Sequence, residues 1–120
     1  MQANRRKNVR YKVAVTAELE LADETWTAET RDISAGGVSL ILDREIKEGE
    51  KISVTLILTQ DGIEDAREEP FQATAEVMWT APTDAGPWIA GFRWNELGQA
   101  QTRQLERFLK AAQPAEEKTD

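Results

Sequence analysis

The chain contains no cysteine and no histidine. Without cysteine there is no disulfide framework and no thiolate metal site. Without histidine the commonest general base and the commonest metal ligand are missing, and so are Ser-His and Cys-His nucleophile pairs. Carboxylates, lysines and a single tyrosine remain for acid–base chemistry. No Gly-rich phosphate loop, nucleophile elbow or recognisable catalytic carboxylate pair accompanies them, so no catalytic or metal-ligating residue is expected and the chain reads as a non-enzyme. Long apolar runs are also missing. None approaches the roughly 20 residues that a membrane-spanning helix needs. The basic N-terminus leads into alternating rather than continuous apolar residues, unlike a secretory signal peptide. The expectation is a cytoplasmic protein with no membrane insertion.

What is present is one domain's worth of chain: 120 residues, 40% of them hydrophobic, enough for a modest single core. The formal net charge of −7 conceals an asymmetry. Residues 1–12 hold Arg5, Arg6, Lys7, Arg10 and Lys12 and no acid, whereas the other 108 residues carry ten basic and 22 acidic side chains, a net −12. Such a split points to a small anionic partner for the basic segment. An extended nucleic acid would meet mostly acidic surface, so none is expected as a partner.

Alternation of apolar and polar residues dominates the middle of the chain. Tyr11, Val13, Val15, Ala17, Leu19 and Leu21 form one such run, followed by a turn at Asp23-Glu24 and a Thr-rich partner strand from Thr25 to Ile33. Gly36 and Gly37 interrupt the pattern before Val38, Leu40 and Leu42 resume it. Further runs are Ile52 to Leu58, Phe71 to Trp79, and Trp88 to Trp94. Six short strands separated by turn signals predict an all-β barrel or sandwich, and closure into a barrel would hide the edge strands. Near the end the period changes: Leu105, Phe108, Leu109 and Ala112 form the stripe of an amphipathic helix, bounded by Asn95 or Gly98 before it and Pro114 after it. The expected organisation is a basic segment over 1–10, a barrel with a C-terminal α-helix over 11–112, and a flexible tail over 113–120.

Two segments suit an anionic ligand. The first is Arg6-Lys7-Asn8-Val9-Arg10, with Arg5 immediately before it. Arginine offers a planar fork of donors that matches a phosphate or the O6/N7 edge of guanine. The second is Asp32-Ile33-Ser34-Ala35-Gly36-Gly37, between two predicted strands. Here a carboxylate can accept from base N–H groups, a hydroxyl can donate or accept, and glycine lets backbone approach a ligand closely.

An RxxxR motif ahead of the first strand and a [D/N]xSxxG motif between the second and third strands resemble the PilZ domain family. The matching residues are Arg6 and Arg10, then Asp32, Ser34 and Gly37, and the resemblance extends over roughly residues 5 to 112. It implies a six-stranded antiparallel β-barrel (the PilZ-like split barrel) plus a C-terminal α-helix, with cyclic di-GMP (cyclic diguanylate) held on the outer face. Carried over residue by residue, Arg6 and Arg10 clamp phosphate and a guanine edge, Asp32 and Ser34 read a base, and Gly37 keeps the turn tight. Arg5 implies two intercalated ligand molecules per chain. Trp79 is a candidate stacking surface for guanine, because some family members use an aromatic near this strand.

Each residue also has a plainer reading. Arg5, Arg6 and Arg10 alone would be a solvated basic tail. Asp32 to Gly37 would be an ordinary turn, with Gly36 structural. Trp79, like Trp88 and Trp94, falls on the apolar side of its alternation and would be core, while Trp26 is ambiguous. Asp61, Glu64, Asp65, Glu68 and Glu69 fit no calcium loop, and Asp61-Gly62 reads as a hairpin turn. Taken together the motifs predict a monomeric receptor that changes conformation on binding cyclic di-GMP and signals to a downstream protein partner. The alternative is a nucleotide-independent adaptor on the same fold.

Overall fold

In the computed structural model, residues 9–57, 59–60, 63–64 and 70–111 are described. The strands are β1 (Thr16–Leu21), β2 (Glu24–Ile33), β3 (Gly37–Leu42), β4 (Lys51–Leu56), β5 (Thr59–Gln60), β6 (Ile63–Glu64), β7 (Phe71–Pro82) and β8 (Trp88–Trp94), followed by helix α1 (Gln99–Ala111). Six of them close an antiparallel barrel in the order β1-β2-β3-β8-β7-β4, and β5 with β6 makes a separate two-stranded ribbon. Closure is completed by β1 against β4, from Ala17 opposite Leu56 to Glu20 opposite Ser53. The ribbon pairs Gln60 with Ile63, flanking the expected hairpin turn; Asp61 and Gly62 themselves lie outside the described residues. So do Leu58, Asp65, Glu68, Glu69, Ala112, Pro114 and the predicted tail.

The inward face of each barrel strand fills the core, as period-two patterning requires. Leu19, Leu40, Val54, Leu56, Phe71 and Ala90 are fully buried there. Phe71 meets Trp94 edge-on, with ring centroids 5.1 Å apart. Leu105, Phe108 and Leu109 of α1 are buried, and the helix packs beside β7. Its start is set at Gly98, whose carbonyl accepts from Thr102 N at 2.9 Å and whose N–H donates to Gln101 Oε1 at 2.7 Å. The first bond opens the helical ladder, and the second satisfies a donor that the helix cannot use itself. Asn95 instead extends the sheet, donating its N–H to Thr74 O at 2.8 Å.

Two β-bulges interrupt the alternation. One lies between Thr30 and Asp32 in the β2–β3 pair, with Arg31 as the extra residue. The other lies between Val77 and Trp79 in the β7–β8 pair, with Met78 extra. An extra residue reverses which face every following side chain occupies. This explains the poor alternation of the Thr-rich strand. The expected strand over residues 11–21 is also shorter than the pattern suggests, being regular only from Thr16. Upstream, Tyr11 and Ile33 exchange N–H···O bonds of 2.9 Å each, and the Thr30 hydroxyl takes the place of a ladder partner. It accepts from Val15 N at 2.9 Å and donates to Val13 O.

Two expectations are corrected. The β1–β2 turn is Ala22-Asp23, because Leu21 pairs directly with Glu24. Trp88 is only half-buried, since it begins β8 at the barrel mouth opposite Leu42 and Pro82; Trp94 is core.

Thr30→Val keeps the shape of a fully buried side chain but strands the Val15 N–H and Val13 carbonyl. Urea unfolding should show a loss of roughly 1–3 kcal/mol, the cost of buried groups left without partners. An unchanged midpoint would show that the hydroxyl is dispensable.

Candidate functional site

The bulges decide which residues reach the outer surface. In uninterrupted strands Asp32 and Trp79 would both point into the core; each lies just past an extra residue and faces outward instead. Cross-strand pairing then joins them in one transverse row. Asp32 is opposite Ser39, Ser39 opposite Gly91, and Gly91 opposite Trp79. Asp32 is buried at the base of this row, where Ser39 Oγ donates to Oδ1 at 2.9 Å. Its Oδ2 stands 3.6 Å from Arg31 Nε. A carboxylate held in this way is oriented before any ligand arrives, and it retains acceptor capacity for N–H donors.

The Ser34–Gly37 turn borders the row. Ser34 N donates to Gly37 O at 2.8 Å, while Ser34 Oγ accepts from Gly36 N at 3.1 Å and Gly37 N at 3.2 Å. The indole of Trp94 donates to Ser34 O at 3.2 Å, tying the turn to the barrel wall. The serine hydroxyl thus shapes the turn, as its plainer reading predicts. Gly37 belongs to this turn without a left-handed backbone: among the described residues the positive-φ glycines are Gly49 and Gly86. A Cβ on Gly37 would instead lie 2.0 Å from the Phe92 carbonyl oxygen, so close passage of β3 against β8 is what demands glycine.

An open pocket of about 580 Å³ lies over this surface, lined by Arg10, Asp32, Ser34, Gly37 and Trp79 among others. Arg10 arrives because its neighbour Tyr11 is pinned to Ile33. Arg5 and Arg6 lie outside the described residues. Trp79 is 38% exposed, and a Cβ on Gly91 would come within 2.2 Å of its Nε1, so the indole lies across that glycine. Gly37 adds no side chain to the floor, and Gly91 is covered by the Trp79 indole. The site combines a fixed carboxylate, a guanidinium and an aromatic face, a set suited to a planar base carrying an anionic group.

The model of the PilZ domain family matches residues 4–111. The chain belongs to the PilZ domain family. Solved structures share its fold. The Bacillus subtilis inhibitor of motility MotI/DgrA superposes with a TM-score of 0.75 at 16% identity, over 92% of this chain and 52% of that one. The PilZ domain of Escherichia coli YcgR, solved with c-di-GMP, gives 0.69 at 20% identity over 90% of this chain and 92% of that one. The K. pneumonia MrkH–c-di-GMP complex gives 0.67 at 13% identity, over 90% and 52%. This chain therefore spans about half the length of MotI and MrkH and nearly all of the isolated YcgR domain. Comparison with curated proteins gives no significant match.

Within the PilZ framework, Ser39, Gly91 and Arg93 are among the pocket residues that had no place in the motif reading. Ser39 and Arg93 sit at polar positions of strands that otherwise read as ordinary alternation. Their convergence depends on cross-strand register, which no local pattern reports. Gly91 interrupts the run from Trp88 to Trp94, and a glycine inside a strand is a signal of close approach.

Gly37→Ala tests the close-approach account. Overpacking against the Phe92 carbonyl should lower stability by about 1–3 kcal/mol in chemical unfolding. A wild-type midpoint would show that β3 and β8 can separate without cost.

Proposed function

We propose that this PilZ domain is a receptor for cyclic di-GMP, a binding function with no catalytic step. The observation that carries the proposal is the convergence of Arg10, Asp32 and Trp79 on one pocket that Gly37 also lines. Its volume of about 580 Å³ falls within the roughly 300–1,000 Å³ usual for small-molecule sites. Family membership and the c-di-GMP-bound relatives support the same reading.

Each group has a task in this proposal. Asp32, oriented by Ser39, accepts from the N–H groups of one guanine. Arg10 and Arg6 meet phosphate and the O6/N7 edge in bidentate fashion. Trp79 stacks on a purine face. Gly37 keeps its part of the floor free of a side chain, Gly91 gives the Trp79 indole its seat, and Ser34 holds the turn that carries Gly37. Arg5 supports a second, intercalated ligand molecule. Tyr11 tethers the basic segment, so the ligand draws residues 5 to 10 onto the barrel around that anchor. The ordered segment is the output surface that a downstream protein partner reads.

Calorimetric titration of cyclic di-GMP, with linear diguanylate and GTP as controls, tests the proposal. Saturable, selective binding with a Kd near micromolar, about −8 kcal/mol, is expected. Arg6→Ala and Arg10→Ala should each weaken it by about 1.5–3 kcal/mol without unfolding the barrel. Arg5→Ala should lower the stoichiometry more than the affinity, and saturating ligand should slow amide exchange over residues 1–10. No heat from folded protein at several temperatures would rule the receptor out.

A further inference from the structure

Arg93 is a second guanidinium facing the pocket, outside both motifs. It occupies the outer row next to that of Asp32 and Trp79, and its neighbours there are informative. On one side it is opposite Gly37, which has no side chain to separate it from the Ser34–Gly37 turn. On the other it is opposite Glu76, and Glu76 in turn is opposite Lys51 of β4. Arg93 Nη2 donates to Glu76 Oε1 at 3.3 Å.

This pair is poised to exchange. The Arg93 side chain is 60% exposed, and an ion pair so accessible to water contributes little to stability. A phosphate oxygen offers the same fork a stronger, bidentate partner. Glu76 would not be stranded by the change, because Lys51 lies directly across from it. Among the described residues lining the pocket, Arg10 and Arg93 are the cationic ones and Asp32 the acidic one. A cyclic dinucleotide carries two phosphodiesters, so a single arginine from the described wall leaves one charge without a counterpart there.

We propose that Arg93 is a further ligand-contacting residue, released from Glu76 to a phosphodiester of the bound dinucleotide. Glu76 is then an internal competitor that sets the affinity. The inference rests on the receptor reading above and adds to it a residue and a tuning device.

The test is titration of cyclic di-GMP into the wild-type chain, Arg93→Ala, Glu76→Gln and the double variant, with folding checked by circular dichroism. Arg93→Ala should weaken binding about tenfold or more, as loss of a charge-assisted contact implies. Glu76→Gln should tighten binding about threefold, because the competitor is neutralised. In the Arg93→Ala background the gain from Glu76→Gln should shrink towards nothing. An equal gain in both backgrounds would make Glu76 a mere repulsive charge and would overturn the exchange. Wild-type binding together with unchanged Arg93→Ala binding would overturn the inference and leave the receptor standing. A wild-type chain that does not bind would remove both.

Discussion

Closing six strands into a barrel commits one face of every strand to the core, so a small domain of this design can carry function only on its outside. The strict two-residue period would send Asp32 and Trp79 inward, where a carboxylate would be costly to bury and an indole would displace core side chains. One extra residue in β2 and one in β7 resolve the conflict. Each bulge lets its strand keep its inward alternation up to a chosen point and then turns the next residue to the outer face. The row from Asp32 to Trp79 exists because both shifts fall at matching heights on the barrel. The rest of the pocket is assembled around that row.

The surface between those residues is shaped by omission. Gly37 and Gly91 have no side chain because a carbonyl in one case and an indole in the other already occupy the space. The same constraint that packs the barrel tightly therefore also seats the Trp79 indole over β8. Order is built in before binding: Ser39 holds Asp32, Ser34 holds its own turn, and Trp94 reaches from the core to hold Ser34. Groups held in advance lose less entropy on binding, which favours affinity from few contacts.

Charge is distributed to suit a small anion. The chain beyond residue 12 is acidic on balance, and the basic groups are concentrated near residue 10. Extended polyanions are disfavoured by such a body, whereas a compact one touching only the pocket avoids it. The Tyr11–Ile33 bridge gives the basic segment a fixed root beside Asp32. Arg10 is close enough to that root to line the pocket in the described structure.

Much of this was legible in the chain itself. Alternation from Val38 to Leu42 and from Trp88 to Trp94 marked strands that the barrel contains, and the Leu105, Phe108 and Leu109 stripe marked the helix. The spacing of Asp32, Ser34 and Gly37 marked residues that line one pocket. These signals are local, because side-chain period and turn chemistry operate over a few residues. What only the tertiary structure decided is non-local. The direction in which Trp79 points, the partnership of Ser39 with Asp32, the reason for glycine at 37 and 91, and the placement of Arg93 beside Glu76 all depend on which residue of another strand lies opposite. A single-residue bulge reverses a face without altering local composition, so pattern alone could name the strands but could not say on which side of the barrel wall their later residues would stand.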